Sequence, residues 1–136
     1  LTHRQGFAAA HRLHDPELSD EENRRLYGPC NNANGHGHNY EYEVSVRGKV
    51  PPSGMIIDLN VLERLMREVI TVEVDHKHLN HDVPFLRDVI TTAENLALQF
   101  WNRLQPTIEE YDGCRLHRIR VYESSSSFVD YHGPME

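Results

Sequence analysis

Residues 30–40 hold the side-chain types best suited to metal chemistry. His36 and His38 are separated only by Gly37. Because successive side chains of a strand alternate between its two faces, the two imidazoles lie on the same side of an extended chain and can bind one ion. Cys30 lies shortly upstream and adds a thiol to the same segment. Imidazole and thiolate both suit zinc, so this segment predicts a zinc site.

A third metal ligand has to come from another part of the chain, because a catalytic zinc site takes three protein ligands and keeps one position open. His11 is the preferred candidate, since the small residues 8–10 precede it at the end of a predicted strand and permit close strand pairing. His14 and Cys30 are the alternatives. The residues alone therefore predict a three-ligand site and leave its third member open.

The size and charge of the chain limit what it can do. With 136 residues, of which 38% are hydrophobic, residues 1–136 are predicted to form one domain. The net charge of −7 argues against nucleic-acid binding, so an anionic substrate has to be met by a local group of Arg or Lys. No apolar run is long enough to span a membrane, and no signal-peptide pattern opens the chain. Two cysteines without a secretory signal indicate reduced thiols and a cytoplasmic protein.

Alternating apolar and polar residues predict the main strands. The clearest alternation runs over residues 39–47 and, continued backwards, places His36 and His38 on its apolar face. The alternation of residues 115–123 puts Glu123 at the end of its more apolar face. The other strand predictions are residues 3–11, the short apolar segment 55–57 and residues 128–132.

Capping signals mark the helices. Ser19 followed by Glu22 predicts a short helix that ends at Gly28. Two amphipathic helices follow, with predicted N-caps at Asp58 and at Thr91, the latter in a capping box with Glu94, and with the last helix ending near Pro106. The order strand, strand, helix, helix, strand, strand predicts an α+β fold, with a four-stranded antiparallel sheet that carries two helices on one face.

Several segments form a recognisable set of motifs. The central motif of residues 30–40 is the most specific of them. The others are Phe7-x-Ala9-x-His11, residues 18–23, Asp75-His76-Lys77, Thr92-x-Glu94-Asn95 and Val121-Tyr122-Glu123. Together these segments resemble the 6-pyruvoyltetrahydropterin synthase family over nearly the whole chain.

The resemblance implies both an architecture and a reaction. The family has the tunnelling fold, in which three subunits join their sheets into a barrel, two trimers stack as a hexamer, and active sites form between subunits. Its members convert 7,8-dihydroneopterin triphosphate to 6-pyruvoyltetrahydropterin with loss of triphosphate, in tetrahydrobiopterin synthesis. The implied cofactors are Zn²⁺ and, usually, Mg²⁺.

The resemblance also implies roles for individual residues. The family commonly has a second threonine where this chain has Ala93, a departure that bears on one hydroxyl contact and not on the chemistry. The implied metal ligands are His11, His36 and His38; the implied catalytic residues are Cys30, Asp75 and His76; and the implied pterin-binding residues are Glu123, Thr92 and Glu94.

The implied roles agree with elementary chemistry. A thiol is mostly protonated at neutral pH, so Cys30 needs a nearby imidazole such as His76 to act as a base. Adjacent residues on a regular strand point apart. Asp75 and His76 must therefore lie in a turn, or Asp75 must orient a different imidazole.

Two other functions stay open at this point. The related 6-carboxytetrahydropterin synthases of queuosine biosynthesis share the substrate and the zinc ligands, but they generally have a shorter spacing between the cysteine and the His-Gly-His motif. A non-catalytic zinc-binding or pterin-binding module is the other alternative, although such a module needs neither Cys30 nor the pair of Asp75 and His76. The residues that bind triphosphate are also open among Arg12, Arg24, Arg25, Lys77, Arg118 and Arg120.

Overall fold

The chain forms a sheet that is covered on one face by helices, and the computed structural model describes residues 1–135. The strands are β1 (Thr2–His11), β2 (His36–Arg47), β3 (Lys77–His78), β4 (Arg115–Tyr122) and β5 (Phe128–Tyr131). The α-helices are α1 (Asp20–Tyr27), α2 (Leu59–Met66), α3 (Val72–Val74) and α4 (Ala93–Ile108). Short 3₁₀ segments are Gly28–Asn31 and Pro84–Leu86, and a π-helical segment, Arg67–Thr71, joins α2 to α3.

The sheet has five strands in the order β3-β1-β2-β4-β5, and neighbours are antiparallel except for β1 and β3, which are parallel. The α+β class is confirmed. The prediction of four antiparallel strands was wrong, because β3 has only two residues and carries no alternation that a pattern can detect. The predicted strand over residues 55–57 does not form: the segment follows a proline-rich turn, and its Ile57 enters the core from a loop.

The hydrophobic core lies between α4 and one face of the sheet. Apolar residues at helical spacing form a single stripe on α4, in which Leu96, Phe100 and Leu104 are fully buried. Phe7 and Tyr40 are opposite each other on β1 and β2, and their rings stack with centroids 4.9 Å apart. Burying a large apolar side chain contributes about 1.5–3 kcal/mol. This layer therefore stabilises the end of the sheet at which the predicted metal ligands lie.

The first two predicted helix caps are confirmed. In α1, the backbone N–H of Glu22 donates to Ser19 Oγ at 3.1 Å, and the N–H of Ser19 donates to the Glu22 carboxylate at 3.3 Å. Asp58 caps α2 through its side chain. Each cap satisfies backbone donors that have no partner within the helix, so these helix starts are set by local sequence.

Both ends of α4 differ from the prediction. The N-cap is Thr92, whose Oγ1 accepts the backbone N–H of Asn95 at 3.2 Å, whereas Thr91 is fully buried before the helix. Adjacent threonines give the same capping signal, and only packing distinguishes them. The helix continues beyond Pro106 to Ile108, because a proline in the final turn removes one donor and leaves the other bonds of that turn in place.

The π-helical segment is held to the sheet by buried polar groups. The hydroxyl of Tyr42, which is 0% exposed, donates to Met66 O at 3.0 Å and lies 2.8 Å from Thr71 Oγ1. Gln5 Nε2 donates to Glu63 O at 2.9 Å. These bonds join β1 and β2 to the helical layer, which leads directly into the turn after α3.

The sheet face away from the helices is polar and ion-paired. Glu43 is only 7% exposed, and its carboxylate lies 2.6 Å from Arg4 and 2.7 Å from Arg118. Tyr122 donates to the same carboxylate at 2.9 Å. A charge that is largely removed from water needs such partners to offset its desolvation.

Candidate metal centre and active site

Strand pairing brings three histidines together at one end of the sheet. In the antiparallel register of β1 and β2, His11 is opposite His36, and Ala9 is opposite His38. One ligand atom from each imidazole lies within 4.8 Å of the others. Of the candidates for a third ligand, the structure places His11 beside the pair, whereas the imidazole of His14 lies 3.0 Å from the side-chain nitrogen of Asn31.

The imidazole nitrogens of this cluster are arranged as a metal site requires. Nδ1 of His11 lies 2.8 Å from Thr91 O and is therefore the protonated nitrogen, which leaves Nε2 free at 3.0 Å from His36 Nε2. Within residues 1–135, the buried atoms His36 Nδ1 and His38 Nε2 have no hydrogen-bond partner. Buried polar atoms without partners are costly, so these atoms point to a missing ligand.

The protonation state of the cluster also fits metal binding. Burial lowers the pKa of His11 to about 4, and burial likewise lowers the pKa of His36. Metal coordination requires the neutral imidazole. The three histidines therefore have the donor type and the spacing to hold a metal ion, and His11 and His36 also have the charge state that coordination requires.

A shell of buried polar groups orients His11. The Tyr40 hydroxyl lies 3.2 Å from His11 Nδ1, and burial raises the pKa of this phenol, so it stays protonated. The residue after His11 is held by the Asn80 side chain, which accepts a hydrogen bond from Arg12 N at 2.8 Å and donates one to Arg12 O at 2.9 Å. Sequence reasoning missed Asn80 and the role of the Thr91 carbonyl, because no local pattern shows which strand a loop amide reaches.

Glu123 lies beside the cluster, in a cavity of about 290 Å³. Its carboxylate is 3.5 Å from His38 Nε2, as the alternation of β4 predicts for its apolar face. Glu94 and Ala93, from the start of α4, line the same cavity. Thr92 is committed to the N-cap of that helix. Of the sequence-predicted pterin residues, Glu123 and Glu94 thus line a cavity that His38 also borders, and Thr92 is not among its lining residues.

Asp75 and His76 form a contact within a tight turn. His76 has a φ of 60°, and its Nδ1 lies 3.0 Å from Asp75 Oδ1. Of the two arrangements that the sequence allows, the pair therefore adopts the one in which both residues lie in a turn. The backbone N–H of Ala8 donates to Asp75 Oδ1 at 2.9 Å and, together with the His76 contact, lowers the pKa of this carboxyl group. The His76 side chain is 83% exposed.

Cys30 lies in the 3₁₀ segment Gly28–Asn31, where its carbonyl accepts the backbone N–H of Leu13 at 2.9 Å. No hydrogen bond joins Cys30 to Asp75 or His76 in the part of the chain that the structure describes. Of the three sequence-predicted catalytic residues, the structure therefore shows a contact only between Asp75 and His76.

The chain has an α+β fold, with three histidines at one end of its sheet and a cavity lined by carboxylates beside them. These features fit a protein with a metal-binding site. The sequence model of the 6-pyruvoyl tetrahydropterin synthase family matches residues 1–134. This chain belongs to that family.

Individual relatives agree with this assignment. The chain is 45% identical to the 6-pyruvoyl tetrahydrobiopterin synthase of Poecilia reticulata over 98% of this chain and 89% of that protein. The structure of Caenorhabditis elegans 6-pyruvoyl tetrahydropterin synthase superposes with a TM-score of 0.91 at 38% identity, covering 98% of this chain and 94% of the other.

A relative named for the alternative reaction is more distant. The chain is 33% identical to a putative 6-carboxy-5,6,7,8-tetrahydropterin synthase of Archaeoglobus fulgidus over 64% of this chain and 66% of that protein. The similarity is both shorter and weaker than to the pyruvoyl relatives. Separately, none of the helices in residues 1–135 is long and apolar enough to cross a membrane.

Proposed function

We propose that this chain is a 6-pyruvoyltetrahydropterin synthase, a lyase that converts 7,8-dihydroneopterin triphosphate to 6-pyruvoyltetrahydropterin with elimination of triphosphate, in tetrahydrobiopterin biosynthesis. The observation that carries the proposal is the three-histidine cluster, of which His38 lines the Glu123 cavity, in a chain of this family. Residues 1–136 act as one domain of a cytoplasmic protein, in which Cys30 and Cys114 are free thiols.

His11, His36 and His38 would hold Zn²⁺, since three neutral imidazoles suit this ion. When bound, zinc polarises the hydroxyl groups of the substrate side chain and lowers the cost of removing protons from them and from their carbons. Mg²⁺ would accompany the triphosphate. The chain contributes the orientation of the His11 imidazole, which the Thr91 carbonyl and the Tyr40 hydroxyl contact at 2.8 Å and 3.2 Å.

Glu123 binds and orients the pterin. The amino-pyrimidine edge of a pterin presents adjacent N–H groups, and one carboxylate can accept two of them in parallel. The contact of 3.5 Å between Glu123 and His38 supports a binding position for the ring next to the proposed metal ligands. Glu94 and Thr92, at the start of α4, complete the pterin site.

Cys30 acts as the base, with Asp75 orienting His76 so that the imidazole stabilises the thiolate. Because no hydrogen bond joins Cys30 to His76 in the part of the chain that the structure describes, we propose that the pair of Asp75 and His76 comes from a neighbouring subunit. We therefore propose a hexamer built as a dimer of trimers, with active sites between subunits.

The test is turnover of 7,8-dihydroneopterin triphosphate, with products separated by chromatography. Cys30→Ala should abolish turnover and keep the zinc content, because the thiol is a base and not a ligand. Cys114→Ala is the matched control, since Cys114 is a buried thiol away from the site, and it should retain activity.

Three results would contradict the proposal. Zinc loss in Cys30→Ala would mean that the cysteine is a ligand. Formation of 6-carboxytetrahydropterin would assign the chain to the queuosine reaction. Pterin binding without any turnover would identify a non-catalytic module.

A further inference from the structure

The structure separates the cationic residues that are neutralised from those that are free. The sequence leaves six candidates for the binding of triphosphate, and three of them are taken up by carboxylates. These ion pairs are Arg25 with Glu21 at 2.7 Å, Arg118 with Glu43 at 2.7 Å, and Arg120 with Asp130 at 2.6 Å. A guanidinium already held by a carboxylate has to lose that partner before it can bind a phosphate.

The other three candidates are Arg12, Arg24 and Lys77, and Lys77 does not line the cavity that Arg12 and Arg24 share. Both line one cavity of about 260 Å³, and neither forms an ion pair with a carboxylate in residues 1–135. The Nε of Arg12 donates to Asn31 O at 3.0 Å, which fixes the side chain and leaves its terminal nitrogens without a partner among the described residues. The remaining walls are made by short residues, Gly28, Pro29, Asn32 and Ala33.

This cavity borders the segments that carry the chemistry. Arg12 follows the metal-site residue His11, and Pro29 and Asn31 lie on either side of Cys30 in the chain. The two segments are joined by the hydrogen bond from Leu13 N to Cys30 O at 2.9 Å. A group attached to a substrate that reacts between the metal and the thiol can therefore extend into this cavity.

We infer that the Arg12–Arg24 cavity is the polyphosphate subsite of the proposed reaction, an inference that rests on the proposed function. The chain has a net charge of −7, so a triphosphate approaching it meets repulsion unless cations are grouped locally. Two unpaired guanidinium groups facing one cavity provide that grouping, because guanidinium binds phosphate oxygens in a bidentate manner. The same subsite holds the triphosphate of the substrate and the free triphosphate that is released.

The direct test is calorimetric titration of the zinc-loaded protein with the magnesium complex of inorganic tripolyphosphate, a probe that carries no pterin. Arg24→Gln should weaken binding by about tenfold or more, the loss expected for a charge-assisted contact. Arg25→Gln is the matched control: it is the next residue of α1, it removes the same charge, and its guanidinium is occupied by Glu21. It should change the affinity by less than about twofold.

A kinetic test measures the same subsite with the substrate attached. Arg24→Gln should raise KM for 7,8-dihydroneopterin triphosphate and leave kcat nearly unchanged, since the residue binds the leaving group away from the reacting carbons. Binding of 7,8-dihydroneopterin, which lacks the phosphates, should be the same in the wild type and in Arg24→Gln.

The outcomes distinguish this inference from the proposed function. Equal weakening of tripolyphosphate binding in Arg24→Gln and Arg25→Gln would show that the overall charge of α1 causes the effect. It would contradict the assignment of the subsite. Unchanged binding in Arg24→Gln would also overturn it, even if the enzyme turns over its substrate. If the protein binds tripolyphosphate through Arg24 and shows no turnover, the result supports the polyphosphate subsite and contradicts the proposed reaction.

Discussion

The three histidines differ in how strongly the protein holds them. His11 is fully buried and bonded to the Thr91 carbonyl at 2.8 Å, whereas His36 and His38 carry the buried nitrogens without partners. A metal site with one fixed imidazole and two that gain a partner on binding depends on all three ligands. Because His36 and His38 are only partly buried, either can be replaced with less effect on the core than His11, which contacts the buried Tyr40 hydroxyl.

His36→Ala should lose most of the bound zinc, because a two-ligand site binds the ion far more weakly than a three-ligand site. Metal content of the purified variant, measured by mass spectrometry, checks this, and the wild type should carry about one zinc per chain. His14→Ala is the control, since its imidazole lies against Asn31 at 3.0 Å, outside the cluster. Full zinc content in His36→Ala, or loss in His14→Ala, would show that the ligands are assigned wrongly.

Glu123→Gln tests the pterin contact. The substitution keeps the volume and replaces one acceptor oxygen by a donor, so one of two parallel hydrogen bonds is lost. Substrate binding should weaken by about 1.5–3 kcal/mol, the range for a hydrogen bond to a charged group. Calorimetry in the Cys30→Ala background, which prevents turnover, measures it.

Glu110→Gln is the matched control for that measurement, because Glu110 is exposed after α4. It should leave the substrate affinity unchanged. Zinc content should be the same in both variants. Unaltered affinity in Glu123→Gln would identify Glu123 as a solvated residue at the end of a strand.

At the level of structural elements, the π-helical segment Arg67–Thr71 makes polar contacts with the sheet. The Tyr42 hydroxyl reaches Met66 O and Thr71 Oγ1 at 3.0 Å and 2.8 Å from a strand position that is fully buried. The segment continues through α3 into the turn of Asp75, which is itself bonded to β1. A local irregularity in the helix thus positions a turn that we propose to be catalytic.

Tyr42→Phe should destabilise the fold by about 1–3 kcal/mol, because it leaves a buried carbonyl and a buried hydroxyl with one partner fewer. Urea unfolding monitored by circular dichroism measures the change. Tyr27→Phe, at the half-buried last residue of α1, is the control and should change the free energy of unfolding by less than about 0.5 kcal/mol. Equal values for the two variants would mean that the Tyr42 hydroxyl does not hold the π-helical segment.

The ion pairs on the open face of the sheet predict a pH dependence. Arg120 holds the pKa of Asp130 below its usual value. As the pH falls, the Asp130 carboxylate is therefore protonated in the unfolded state at a higher pH than in the folded state. The stability from this pair is present at neutral pH and is lost as the pH falls through the folded-state pKa. Asp130→Asn should therefore reduce the free energy of unfolding at pH 7, and the difference from the wild type should shrink in acid.

Asp112→Asn is the control for this series, since Asp112 is exposed in the turn before β4. Its difference from the wild type should be small at every pH. A difference for Asp130→Asn that is the same at neutral and acid pH would exclude the ion pair as its cause.

At the scale of the whole molecule, the two edge strands of the sheet are the feature that bears on assembly with other subunits. β5 forms one edge, and at the other edge the two residues of β3 cover only part of β1. Open edges present unpaired backbone donors and acceptors to another chain. Together with the absence of a hydrogen bond between Cys30 and His76 in residues 1–135, they support the proposal that the subunit completes its site by assembly.

Mixing two inactive variants tests shared sites. If Cys30 and His76 meet across a subunit boundary, hexamers reassembled from equal amounts of Cys30→Ala and His76→Ala chains should recover about a quarter of the wild-type activity, the fraction of boundaries at which both intact residues meet. Native mass spectrometry confirms that the hexamers are mixed. Absence of recovery in mixed hexamers, or an active monomer by light scattering, would place the whole site in one chain.

Much of this protein follows from local sequence. The side on which His36 and His38 lie, the capping of α1 by Ser19 and the face on which Glu123 ends its strand were all predictable. Each depends on the periodicity of a strand or on contacts within a few residues, and such signals are present in the order of the amino acids.

Tertiary structure decided the rest. The register of β1 against β2 placed His11 rather than His14 in the cluster, and packing chose Thr92 over Thr91 as the cap of α4. Two further features also depend on segments far apart in the chain. These are the two hydrogen bonds between Asn80 and Arg12 and, within residues 1–135, the absence of a carboxylate partner for Arg24. No local pattern encodes such contacts, because the partner of a side chain across the fold is set by the packing of whole elements.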